Sequence, residues 1–293
     1  MFKSTVALAV SALILSLTAN AKEPLRILYL SKSAGFEHSV VKLKEGGPSH
    51  SDRVMSTLAE KMGATILNTK DASLINAENL KNYDIVALYT TGDLTGTGGD
   101  GTPALSDTGL AELLDWIKAG GGIVGFHAAT DTFACAPNAP VDPYTEMIGG
   151  QFEGHGGQFK GIIRVTSPKH PTMANVPNGW AFREEWYYFR HLNKEKMHVL
   201  ALLDPGRERK RQEQYNIPSY PMIWCRSLGE GRVYYNGIGH REQVWLDPAF
   251  QKSIVDALHW AAGEGGTMAE PNYDAVVPKT IEESIAMAEK AGK

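Results

Sequence analysis

Four short segments of this chain are apolar on nearly every position instead of on alternate ones. They are Leu25-Arg26-Ile27-Leu28-Tyr29-Leu30, Ala64-Thr65-Ile66-Leu67, Tyr83-Asp84-Ile85-Val86-Ala87-Leu88-Tyr89 and Gly122-Ile123-Val124-Gly125-Phe126. A strand with apolar side chains on both faces must lie in a sheet covered on both sides, which is the habit of parallel sheets. The intervening segments have helical spacing. Val54, Leu58 and Met62 fall on one stripe of a helix ending at Gly63, and Leu110, Leu113, Leu114 and Ile117 on another that starts near Ser106 and stops before Gly120. Strand and amphipathic helix in alternation predict an α/β, doubly wound, mostly parallel sheet.

Between Gly149 and Trp224 the alternation breaks down. Glycine-rich and aromatic extended pieces replace it, such as 159–165 and 198–203, and predict a β-rich insertion. Gly231 to Asn236 returns as a core strand. Asp247-Pro248 then opens a last large helix, with an N-cap carboxylate and proline at the first helical position. The expected organisation is an export signal over 1–21, an α/β domain over 22–266, and a C-terminal linker and helical appendage over 267–293.

The export signal rests on Lys3, the apolar run Val6 to Leu17 and the small-x-small site Ala19-Asn20-Ala21. Cleavage near Ala21 predicts a periplasmic or secreted protein. No later apolar run is long enough to span a bilayer, so no stable membrane insertion of the mature chain is expected. With 29 basic against 33 acidic residues and a formal charge of −4, the chain lacks the basic footprint that nucleic acid requires. Cys135 and Cys225 are too few to staple a 293-residue chain, and Cys225 reads as a buried small hydrophobe. Neither oligomeric state nor cysteine pairing follows from the sequence.

In an open parallel sheet, ligands bind beyond the carboxyl ends of the strands. His38, His127 and His240 each follow a predicted core strand and so share one rim. His155 lies among glycines in Gly154-His155-Gly156-Gly157, and Glu184-Glu185 precede Trp186-Tyr187, whose faces could stack on a sugar. Imidazoles and carboxylates together serve either acid/base chemistry or a divalent cation such as zinc, and spacing leaves both open, because no local His-x-x-x-His pair exists. The chain lacks a Gly-x-Gly-x-x-Gly or Walker loop, so no nucleotide is expected; it also lacks a Gly-x-Ser-x-Gly elbow. The glycine-rich stretch 95–102 reads as a flexible rim loop.

Four motifs, Gly125-Phe126-His127-Ala128-Ala129-Thr130-Asp131, Gly149 to His155, Glu184-Glu185-Trp186-Tyr187, and Gly231 to Tyr235 leading to Gly239-His240, resemble in order the ThuA-like (trehalose-utilisation) family. The resemblance spans about residues 25–263. It implies a flavodoxin-like fold shared with class I glutamine amidotransferases and a role in glycoside uptake or breakdown. In that superfamily a cysteine nucleophile occupies the strand-to-helix elbow. Here the elbow residue is His127, which cannot form a thioester, whereas His240-Arg241-Glu242 keeps the His-x-Glu form. The family's association with 3-keto sugars implies enolisation, isomerisation or elimination of a keto-sugar or 3-keto-glycoside. On this reading His127 and His240 carry acid/base chemistry, with Glu185 and His155 as a further base or metal ligands. Asp131 orients an imidazole or hydroxyl, and His38, Trp186, Tyr187 and Glu242 contact the carbohydrate. Two other readings stand beside it: a non-catalytic carbohydrate-binding protein and a metal-dependent glycoside hydrolase.

Overall fold

The computed structural model describes residues 23–291. The export signal expected over 1–21 lies outside the described residues. The elements follow the chain as β1 (Arg26–Leu30), α1 (His50–Met62), β2 (Thr65–Thr69), α2 (Ala77–Leu80), β3 (Ile85–Leu88), α3 (Gly109–Lys118), β4 (Gly122–Phe126), α4 (Pro143–Ile148), β5 (Gln151–His155), β6 (Phe159–Val165), β7 (Trp180–Glu184), β8 (Tyr187–Arg190), β9 (His198–Asp204), β10 (Tyr220–Leu228), β11 (Gly231–Asn236), α5 (Glu242–Trp245), α6 (Pro248–Ala261), α7 (Tyr273–Val276) and α8 (Ile281–Ala291).

Nine strands form one sheet in the order β2-β1-β3-β4-β11-β10-β9-β6-β7, and β5 pairs with β8 in a separate two-stranded ribbon. The first five strands are parallel and follow the flavodoxin-like order. From β11 outward the pairings are antiparallel. Most of the expected insertion thus continues the main sheet, and only β5 and β8 leave it. Pro221, which has no N–H to donate, sits where the β10–β9 register shifts.

The doubly apolar strands divide their side chains between two cores, as the period of two requires. Ile27, Tyr29, Val124 and Tyr234 pack against Val54 and Leu58 of α1 and Ile254 and Leu258 of α6. Leu28, Val86, Ile123 and Val233 meet Leu113 and Ile117 of α3 and Ile148 of α4. Capping sets the helix ends. Ser49 and Asp52 form a reciprocal capping box before α1, and Gly63 closes that helix at φ +67°. Asp247 caps α6 through the N–H groups of Ala249 and Phe250. Among the described residues, no helix is long and apolar enough to cross a membrane.

The C-terminal segment is docked, not pendant. The Asn272 side chain accepts from Val199 N at 2.6 Å and donates to Val199 O at 3.1 Å, and buried Ser284 accepts from Ser219 N at 2.9 Å. Both cysteines are free thiols. Burial raises Cys225 far above the ordinary thiol range, in keeping with a packing role.

The glycine-rich stretch 95–102 is pinned by a buried ammonium. Lys32, at the end of β1, is fully buried. Its Nζ donates to Thr97 O at 2.9 Å, Thr102 O at 2.8 Å and Thr102 Oγ1 at 3.0 Å, and lies 3.4 Å from Asp100 Oδ1. Asp100 Oδ2 in turn accepts from Ser33 N at 2.7 Å. The lysine that this loop lacks locally comes from the neighbouring strand end and ties the loop down. Replacing Lys32 by Met leaves buried Asp100 with the more distant ammonium of Lys70, 3.8 Å from Oδ2, as its remaining counter-ion, and denaturant unfolding should show a loss of about 2 kcal/mol. Lys32→Met combined with Asp100→Asn should recover part of it; a double variant no more stable than Lys32→Met alone would dissolve the clamp as an energetic unit.

Candidate functional site

The histidines after β1, β4 and β11 meet where the parallel half of the sheet turns antiparallel. His127 is the first residue beyond β4 and holds φ +36°, a strained value for a side-chain-bearing residue. Its surroundings hold it there. Tyr235 Oη donates to His127 O at 2.7 Å, His127 Nδ1 lies 3.1 Å from Gly237 O, and the ring packs on Tyr187 with centroids 4.0 Å apart. His38 arrives on the loop after β1 and lies 5.2 Å from His127 and 5.3 Å from His240, centroid to centroid. Glu185, at the β7–β8 corner, enters from the antiparallel half. Its Oε2 is 3.6 Å from His127 Nε2 and 3.0 Å from His240 Nδ1.

His38, His127, Glu185 and His240 can each offer one ligand atom so that all four atoms lie within 4.8 Å of one another. His38 Nδ1, His127 Nε2 and His240 Nδ1 are buried and make no hydrogen bond. His127 Nε2 and His240 Nδ1 approach the Glu185 carboxylate closely without meeting it in hydrogen-bond geometry. The Gly237 carbonyl can only accept, so His127 carries its hydrogen on Nδ1 and keeps the Nε2 lone pair free. Tyr187 Oη engages His38 Nε2 at 3.1 Å, which leaves Nδ1 as the free nitrogen. Three unpartnered imidazole nitrogens, a carboxylate and outer hydrogen bonds on two of the rings form a donor set that suits a divalent cation such as zinc.

Burial dominates the electrostatics. It drives His38 down to about 2 and lowers His127, with the other imidazoles adding to the effect on both. Burial also opposes charge on Glu185, but the facing imidazoles outweigh it and hold the carboxyl well below the usual range. In His240 the carboxylates overcome burial and raise the ring above its ordinary value. Glu184 is fully buried and pushed up to about 7 by burial; its Oε1 accepts from His240 N at 2.6 Å, and Oε2 is unpartnered.

The remaining candidates are distributed around this centre. His155, on β5, lies outside the four-residue group. Its Nδ1 sits 3.4 Å from Glu185 Oε1 and 3.0 Å from Gly156 O, both acceptors, so Nε2 is its free acceptor nitrogen. Asp131 closes the turn that starts at His127. Glu242 lies at the rim, where its Oε1 accepts from Ser39 Oγ at 2.6 Å. Tyr187 is buried beneath His127, and Trp186 lies in the core with Nε1 donating to Phe159 O at 3.0 Å. Neither presents an open face for stacking. Sequence reasoning passed over Glu184, whose only signal was its adjacency to Glu185, and Tyr89, whose ring contacts both His38 and His127. The two adjacent carboxylates have different partners: Glu185 reaches the imidazoles and Glu184 the His240 backbone.

The family model for ThuA, described as trehalose utilisation, matches residues 26–261. The chain belongs to the ThuA family. The same fold occurs in a ThuA-like protein from Bacteroides uniformis, 20% identical, with a TM-score of 0.64 over 86% of this chain and 96% of that one. A ThuA-like protein from Parabacteroides merdae is 15% identical, with a TM-score of 0.60 over 89% of this chain and 99% of its own. No curated protein matches the chain. At these identities the likeness establishes the fold, which for ThuA proteins is the mixed α/β sheet described above.

The end of the turn that follows β4 carries a stability cost. Burial raises the Asp131 carboxyl from 3.8 to about 6, so the folded state binds its proton more tightly than the unfolded chain. Stability from that proton is complete below the unfolded value and lost as pH rises through the folded one. Asp131→Asn should therefore stabilise the protein above about pH 6, with the gain shrinking toward pH 3.8 in urea titrations across the range. A gain independent of pH would show that burial of charge is not its source.

Proposed function

We propose that this ThuA protein is an exported carbohydrate enzyme that acts on a keto-sugar or 3-keto-glycoside with the help of a divalent cation, zinc by donor type. The observation that carries the reading is the convergence of three imidazole nitrogens free of hydrogen bonds on the Glu185 carboxylate, at the sheet edge where such folds bind ligands. The trehalose-utilisation description of the family supports a carbohydrate substrate, and the sequence of residues 1–21 supports export.

His38, His127, His240 and Glu185 would hold the cation, whose chemistry is to polarise a substrate carbonyl or hydroxyl as a Lewis acid. Imidazoles whose lone pairs are engaged in this way do not act as bases, so the proton falls to the histidine outside the set. His155 Nε2 takes or returns the proton at the carbon beside the keto group, whose C–H is acidified by the carbonyl. The contacts of Glu185 and Gly156 with Nδ1 keep that nitrogen protonated and Nε2 available. Glu184 holds the His240 backbone through its N–H. Asp131 orients a hydroxyl. The wealth of titratable groups favours catalysis over simple sugar binding, which needs few of them.

Metal analysis of protein prepared without chelator should find about one equivalent of zinc. Turnover of 3-keto-glucosides should stop with chelator and return with zinc. His127→Ala and His240→Ala should lose metal and turnover together, whereas His155→Ala should keep the metal and slow turnover on the order of 100-fold or more. Full turnover in metal-free protein would overturn the cation. Tight sugar binding with no conversion in any sample would make the protein a binding module, and metal loss in His155→Ala equal to that in His127→Ala would remove the division of roles.

A further inference from the structure

Trp186 and Tyr187 are buried, so the aromatic face that a sugar would meet must come from elsewhere. Phe36 is 67% exposed, the most exposed large hydrophobic residue among those described, and stands edge-on to His38 with centroids 5.0 Å apart. A lone exposed apolar side chain is ordinary. Two observations set this one apart.

The first is its rigid mounting. Phe36 O accepts from Thr91 Oγ1 at 2.9 Å, and Ala34 N and Gly35 N both donate to Thr91 O, at 2.9 and 3.0 Å. The segment is wedged against two glycines. A Cβ on Gly92, where φ is +74°, would lie 2.3 Å from Gly35 N, and one on Gly98, at φ +65°, would lie 2.3 Å from Ala34 Cα. The ring thus stands on a backbone fixed before any ligand arrives, which lowers the ordering cost of a contact. The second is location. The His38 ring contacts Phe36 as well as His127 and His240, so the exposed ring stands one imidazole away from the centre of the site. Polar groups follow directly along the same loop, with Ser39 Oγ donating to Glu242 Oε1 at 2.6 Å.

A pyranose has hydroxyls around its edge and C–H groups on its faces, so it is matched by one flat apolar surface surrounded by hydrogen-bonding groups. We infer that Phe36 is the stacking platform for such a ring, a specificity-determining residue that receives a C–H face while the reacting carbon is turned toward the histidines. The inference rests on the carbohydrate reading above and narrows it to pyranosides with a face free of axial hydroxyls.

The test is titration calorimetry with methyl glucoside and its 3-keto form on the full chain, with zinc binding measured in parallel. Phe36→Ala should weaken sugar binding roughly tenfold, equivalent to about 1.4 kcal/mol. Phe36→Leu, apolar but not flat, should weaken it too, and Phe36→Tyr should restore it. Zinc affinity should be unchanged in all three, which a general loss of structure would not allow. Wild-type binding that survives Phe36→Ala or Phe36→Leu would overturn the platform and leave the carbohydrate reading intact. Unchanged sugar binding with an altered sedimentation coefficient in Phe36→Ala would assign the ring to a protein interface instead. A wild type that binds zinc and neither sugar would sink the carbohydrate reading and the platform with it.

Discussion

A sheet whose central strands are apolar on both faces has little room for a charged side chain within those strands. Every position of β3 and β4 is buried, and the two cores above and below are filled by aliphatic and aromatic side chains. Polar chemistry is therefore expelled to the strand ends, where the chain turns and backbone groups are left unpaired. His127 shows how abrupt the boundary is. Phe126 is the last core residue of β4, and the next residue already stands in a left-handed conformation with its ring in the site.

The other half of the sheet completes the site. After β11 the pairings turn antiparallel, and the connections swing the β7–β8 corner back across the rim. That fold-back brings Glu185 within 3.6 Å of His127 and 3.0 Å of His240. A carboxylate buried among imidazoles is costly to desolvate, and the cost is tolerated when partners or a cation share the charge. The orphaned ring nitrogens are the same statement seen from the histidines. Asn272 docks the C-terminal segment onto β9, and Ser284 docks it onto Ser219 just before β10, bracing this antiparallel half.

The crevice between β1 and β3, where the strand order reverses, is the customary ligand position of flavodoxin-like sheets. Here Lys32, Asp100 and the glycine-rich loop close it with the chain's own atoms. The polar site has moved to the ends of β4 and β11. The loop bearing Phe36 and His38 runs from the closed crevice to the histidine site, so one set of contacts fills the first and shapes the second.

Patterning alone was enough to read the parallel half: β1 to β4 and β11, the helices α1 and α3, the Asp247-Pro248 cap and the histidines at the strand ends, because each depends on neighbours within a few residues; the short α2 and α4 carry no such stripe. The antiparallel half was harder. Its strands follow one another without helical stripes between them and carry a register shift at Pro221, so no strand–helix alternation marks their places. The membership of the site was decided only in three dimensions. His38 belongs with His127 and His240 while His155 stands outside, Glu184 serves the backbone while Glu185 faces the rings, and the aromatic pair beside them is buried while Phe36 is left bare. Local spacing determines which residues share a strand end, since the period of two and the helical stripe are short-range properties. Which of those ends meet, and which side chains are left without partners when they do, depends on sheet pairing and burial, which no local window of sequence contains.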